Sequence, residues 1–110
     1  MNQKIWELFE AKKILLKDIK ELNTSDFSTK KTLDIFWGVD NKSFYNLIFL
    51  RIAKSRLLRK EALELEEISK KIEAKFQINL RKKTIFYSSG ICSKALKELQ
   101  DNNWRCYDFV

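Results

Sequence analysis

Between positions 51 and 60 the chain carries Arg51, Lys54, Arg56, Arg59 and Lys60, and no acid. Lys70 and Lys71 follow, then Lys82 and Lys83. Guanidinium groups can fork onto phosphate oxygens, and ammonium groups can meet them as point charges. At helical spacing, Arg56, Arg59, Lys60, Lys70 and Lys71 share one side, interrupted by Glu67. Lys82 and Lys83 extend the charge towards a later strand. Such a set suits contact with a nucleic-acid backbone, with affinity that falls as salt rises. The same lysines would also serve as a solvated face, with Glu66–Lys70 and Glu67–Lys71 pairing one turn apart.

Other chemistry is thinly supplied. The chain has no histidine, which removes His-based acid/base catalysis and His metal ligation. Its two cysteines, Cys92 and Cys106, are too few for a disulfide scaffold or a cysteine-rich zinc site. Glu61, Glu64, Glu66 and Glu67 cluster in sequence but spread around a helix, and no second acidic motif completes an oxygen-ligand site. No catalytic residue, metal or cofactor is expected.

Two local patterns carry resemblances. The stretch 93–104, Ser-Lys-Ala-Leu-Lys-Glu-Leu-Gln-Asp-Asn-Asn-Trp, resembles the recognition helix and wing entry of winged-helix regulators. It departs from them in having one candidate wing strand where two are needed, and a strand-like 81–89 in place of a supporting helix. Strand, Ser88-Ser89-Gly90 and a helix opening near Cys92 resemble the start of a thioredoxin-like or rhodanese-like unit. There is no Cys-x-x-Cys, no proline and no glycine-rich anion loop to go with it. Both thiols are read as small structural side chains.

The hydrophobic pattern indicates the elements that must position these groups. Of 110 residues, 45% are hydrophobic, there is no proline, and the only glycines are Gly38 and Gly90. Long uninterrupted helices in one domain over 1–110 are therefore expected. Residues 3–22 place Ile5, Leu8, Leu15, Ile19 and Leu22 on one face, with Lys12 in the seam and Glu61 or Glu64 as its candidate partner. A short helix from Ser28 or Thr29 to Trp37 follows, capped by Gly38. The centre of the design is a long helix over 41–77, capped by Asp40 or Asn41. Its first half, 44–50, is apolar on every side. Its second half carries the stripe Leu58, Leu65, Ile68, Ile72 and Phe76. Then Thr84 to Tyr87 reads as a strand, 92–102 as a helix and 104–110 as a terminal strand. The expected fold is α+β and mainly helical, ending in a small β-α-β unit. Its two strands alone would be marginal, so a homodimer or a covered edge is expected at the last one.

The net charge of +7 favours acidic partners. The first residues show no apolar stretch of signal-peptide length, and no apolar run approaches a membrane span. A cytoplasmic location without membrane contact follows as an expectation. The function expected first is a small non-catalytic nucleic-acid-binding or nucleic-acid-associated protein. Its alternative is a protein-interaction module: an inhibitor, immunity-type protein, adaptor or subunit. Arg together with Trp6, Trp37, Tyr45, Tyr87, Trp104 and Tyr107 could anchor such an interface.

Overall fold

The computed structural model describes residues 3–11, 16–23 and 33–108. A five-stranded mixed sheet dominates it. The elements are α1 (Gln3–Ala11), β1 (Lys17–Leu22), β2 (Leu33–Val39), β3 (Tyr45–Arg51), α2 (Arg59–Phe76), β4 (Leu80–Tyr87), α3 (Ser93–Asp101) and β5 (Trp104–Asp108). Strands lie in the order β1-β2-β3-β4-β5. The first three pair antiparallel, and β3, β4 and β5 run parallel.

This overturns the mainly helical expectation. The run 44–50 is apolar all round because β3 is the middle strand, covered on both faces. Such strands lose the period-two signature and read as continuous apolar runs. Side chains of β3 alternate between two cores. Leu47 and Phe49 join Leu33, Ile35, Leu65, Ile72, Ile85 and Leu99 under α2 and α3. Ile48 and Leu50 join Phe36, Phe86, Leu8 and Phe9 under α1. The sheet is thus sandwiched between α1 and the α2–α3 pair.

The helix expected over 3–22 is α1 and then β1, with Lys12 and Leu15 outside the described residues. Leu33 to Trp37, expected as a helix, lies in β2, and Gly38 is a buried strand residue paired with Asn46. The helix expected over 41–77 is β3, a loop and α2. Leu65, Ile68 and Ile72 of its stripe are buried, but Leu58 precedes the first turn of α2 and is 51% exposed; Leu57 is buried in its place.

The chain returns from β3 to β4 through α2 and from β4 to β5 through α3, the crossovers that parallel strands require. Helix α2 stops at Gln77, whose left-handed backbone (φ 53°) directs its N–H to Glu73 O. The local winged-helix resemblance of 93–104 does not extend to the fold, because α3 crosses between two parallel strands and packs on the sheet. The five-strand sheet also removes the motive for a homodimer, which was a two-stranded sheet short of neighbours. Among the described residues no helix is long and apolar enough to cross a membrane.

Candidate nucleic-acid interface

The parallel strands β3, β4 and β5 end together at Arg51, Tyr87 and Asp108. Open α/β sheets bind ligands at this end of their strands. Here it is closed by an internal ion pair. Arg51 is 2% exposed; its Nε donates to Glu61 Oε2 at 2.5 Å and its Nη2 to Glu61 Oε1 at 3.1 Å. Nη1 donates to Ser55 O at 3.0 Å and to Ser88 O at 3.5 Å. Arg51 therefore anchors the loop after β3 to the first turn of α2 and is not on the surface.

That loop, residues 52–58, is joined to the loop after β4, residues 88–92. Leu57 N–H donates to Gly90 O at 3.0 Å, and Cys92 N–H donates to Leu57 O at 3.0 Å. The Ser88 hydroxyl bridges the Ala53 N–H and C=O, and the Ser89 hydroxyl donates to the same Ala53 O at 2.6 Å. Gly90 sits at φ +83°, a conformation that costs glycine little. Lys54, Arg56, Arg59 and Lys60 stand exposed on this double loop and on the helix start it leads into.

The remaining basic residues lie elsewhere. Lys70 and Lys71 are exposed in the second half of α2, with exposed Leu63 and Glu67 between them and Lys60. Lys82 is at the other end of the sheet, 3.2 Å from Asp40. Lys83 is largely covered: its ammonium is 3.3 Å from Glu66 and 5.3 Å from the centre of the Trp104 ring. Glu66, which also accepts from the Trp104 indole N–H, is turned inward and not towards Lys70. The structure thus brings together Lys54, Arg56, Arg59 and Lys60, and separates them from Lys70 and Lys71, from Lys82 and Lys83, and from buried Arg51.

Sequence reasoning left Ser89, Gly90, Cys92 and Lys94 out of this set. Their signal was the Ser-Ser-Gly turn before a helix. Cys92 is the N-cap of α3, its Sγ accepting the Ala95 N–H at 3.3 Å. That hydrogen bond lowers the thiol pKa, partial burial opposes it, and the Arg59 and Lys94 N–H groups and the Arg56 charge lower it further. Burial alone pushes Cys106, in β5, up to about 11. Both thiols are free.

At the opposite end Asp40 organises the β2–β3 turn. Its Oδ1 accepts the Lys42 and Phe44 N–H groups at 2.9 and 3.0 Å. The Phe44 N–H is the main reason its carboxyl is lowered to about 2; burial opposes, and the Lys42 N–H, Lys82 and Asn46 assist. The folded carboxyl binds its proton less readily than the unfolded one. Its stabilisation is therefore full above about pH 4 and is lost as pH falls towards 2. Urea midpoints measured over that interval should fall less steeply for Asp40→Asn than for the native chain; parallel curves would contradict this.

Of the aromatics expected at an interface, two are buried and Trp37, Tyr45 and Tyr107 are half-buried. Tyr87 and Trp104 are buried, and Tyr107 stacks on Phe86 at 5.5 Å. Trp37 stacks on Tyr45 at 5.6 Å beside a concavity lined by Asp18, Lys20 and Val39, its indole N–H buried without a partner. Among the described residues no three His, Cys, Asp or Glu side chains gather to hold a metal ion.

The class defined by these observations is an α+β chain dominated by a five-stranded mixed sheet, with a basic double loop at the ends of its parallel strands. Solved structures share that fold. One, of EndoMS in its apo form, superposes with a TM-score of 0.59 at 12% identity, covering 99% of this chain and 46% of that one. A repair endonuclease from Pyrococcus abyssi gives 0.57 at 12% identity, over 97% of this chain and 45% of that one. A complex of EndoMS with double-stranded DNA gives 0.53 at 13% identity, over 96% and 42%. This chain spans a little under half the length of each. No protein-family model matches it, and no curated protein is similar to it at a significant level.

Proposed function

We propose that this chain is a DNA-associated domain that binds the duplex backbone without cutting it. The observation that carries the reading is its fold, which resembles a repair endonuclease and EndoMS, the latter solved with double-stranded DNA. The net charge of +7 and the exposed basic double loop support it physically. What favours binding over cutting is the filled strand end. The place where such sheets hold ligands is taken by Arg51 and Glu61, which neutralise each other. Phosphate contacts position a duplex without reading its bases, so binding should be largely independent of sequence.

The test is fluorescence anisotropy with two unrelated duplexes over a salt series, beside a cleavage assay with magnesium or manganese. Salt-sensitive binding of similar strength to both, with no strand scission, is the expected result. Absence of binding at low salt would defeat the reading, and metal-dependent scission would defeat its non-catalytic half. A second reading, docking of an acidic protein, is favoured by Ile52 and Leu58. They are 49% and 51% exposed in and beside the basic loop.

A further inference from the structure

The basic residues that helical spacing assigns to one face fall into two groups. Arg59 lies 3.6 Å from Glu98 of α3, and Arg56 lies against Gly90. Lys70 and Lys71 are eleven or more residues farther along α2 than Arg59. At 1.5 Å per residue that is roughly 16 Å or more. Leu63 and Glu67 share the intervening exposed surface, so positive charge is not continuous along it.

Around Arg56 the surroundings are fixed. The bonds between Leu57, Gly90 and Cys92 make the two loops one ledge. The Arg56 stem crosses Gly90, its Cγ 3.9 Å from where a Cβ would stand. The Cys92 sulfur accepts the Ala95 N–H at 3.3 Å, and the Cys92 N–H donates to Leu57 O, two residues before the first turn of α2. The starts of α2 and α3 therefore open at one point, beside three exposed cationic side chains: Arg56, Arg59 and Lys94. Arg59 is 60% exposed and its contact with Glu98 is loose, so it can turn to another acceptor.

We propose that this ledge is where duplex DNA is seated: Arg56 and Arg59 fork onto backbone phosphates from one side of the loop junction, Lys94 meets them from the other, and Lys70 and Lys71 lie outside the footprint. The proposal rests on the DNA-binding reading and narrows it to one end of the sheet. The two helix starts reinforce the side chains, since the positive ends of their dipoles favour negative charge nearby. Three cations within one junction would track a single strand of the backbone.

Two measurements on the full chain test it. In the first, Arg56→Gln/Arg59→Gln/Lys94→Gln is compared with Lys70→Gln/Lys71→Gln by anisotropy on one duplex. The triple variant should lower the slope of log affinity against log salt by about 2–3 units and weaken binding on the order of a hundredfold; the double variant should match the native slope. In the second, Cys92 is alkylated with iodoacetamide in a Cys106→Ser chain. Saturating duplex should slow the reaction several-fold, because the sulfur lies in the covered junction. This second readout needs no change to the ledge itself. The proposal is overturned if Lys70 and Lys71 carry the slope, or if Cys92 reacts equally fast with and without bound duplex. If the native chain binds no duplex at all, the broader DNA reading falls with it.

Discussion

Arg51→Leu is expected to cost the fold about 3–5 kcal/mol, the range for removing one partner from a buried ion pair. Two losses combine. Glu61, 16% exposed, would keep a carboxylate with no cation beside it. Ser55 O and Ser88 O would lose the donor that ties both loops to β3. Removing both charges is a different matter, since two apolar residues of similar volume can replace a buried pair at little cost. Arg51→Leu/Glu61→Leu should therefore recover part of the stability. It should not restore the duplex binding proposed for the ledge, because the loop carrying Arg56 would have lost its anchor. Urea midpoints for both variants check the first claim. An Arg51→Leu chain that unfolds with the native one would show that the pair is not holding the strand end.

Arg51 also shows why the site was only partly legible in the sequence. Arg56, Arg59 and Lys60 could be recognised as exposed, because a local run of cations with no acid has no local partner. Arg51 belongs to the same run, but its partner is ten residues away and its burial comes from the closure of β3 onto β4. Glu61 was visible as a candidate partner for Lys12 and as one of a run of acids, whereas the structure gives it to Arg51. The surroundings of Lys83 were hidden for a related reason: its ion pair with Glu66 joins β4 to α2 across the core face.

The fold divides along the same line. Leu65, Ile68 and Ile72 were legible because α2 has one wet face and one buried face, which leaves a helical period. The unit β4–α3–β5 was legible because Thr84 to Tyr87 is β-branched and aromatic, and Gly90 supplies a turn that local chemistry demands. Strands β2 and β3 were not. Their breaks contain no proline. The loop from Ile52 to Leu58 contains no glycine either; it is shaped by Arg51, Ser88 and Ser89. Asp40 was read as a helix cap, and it does accept nearby N–H groups, but in a strand-connecting turn.

Phe49→Ala and Leu58→Ala should differ sharply in their cost to the fold. Phe49 is completely buried at the centre of β3, in a row that runs Ile35, Phe49, Ile85 and Cys106 across four strands. Its ring lies 5.2 Å from that of Trp104 at 50°, so truncation would remove an aromatic pair as well as buried area. The expected loss is about 3–5 kcal/mol, since a close-packed sheet centre between helices can collapse only partly around the cavity. Leu58→Ala is the matched control. A continuous helix over 41–77 would bury Leu58 in the same stripe as Leu65, with a loss of about 2–5 kcal/mol. In the sheet architecture Leu58 is half in water before the first turn of α2, and truncation should change stability by no more than about 0.5 kcal/mol. Denaturant titrations of the two variants check this: a large loss for Phe49→Ala with a small one for Leu58→Ala is expected, and equal large losses would contradict the placement of Leu58 outside the core.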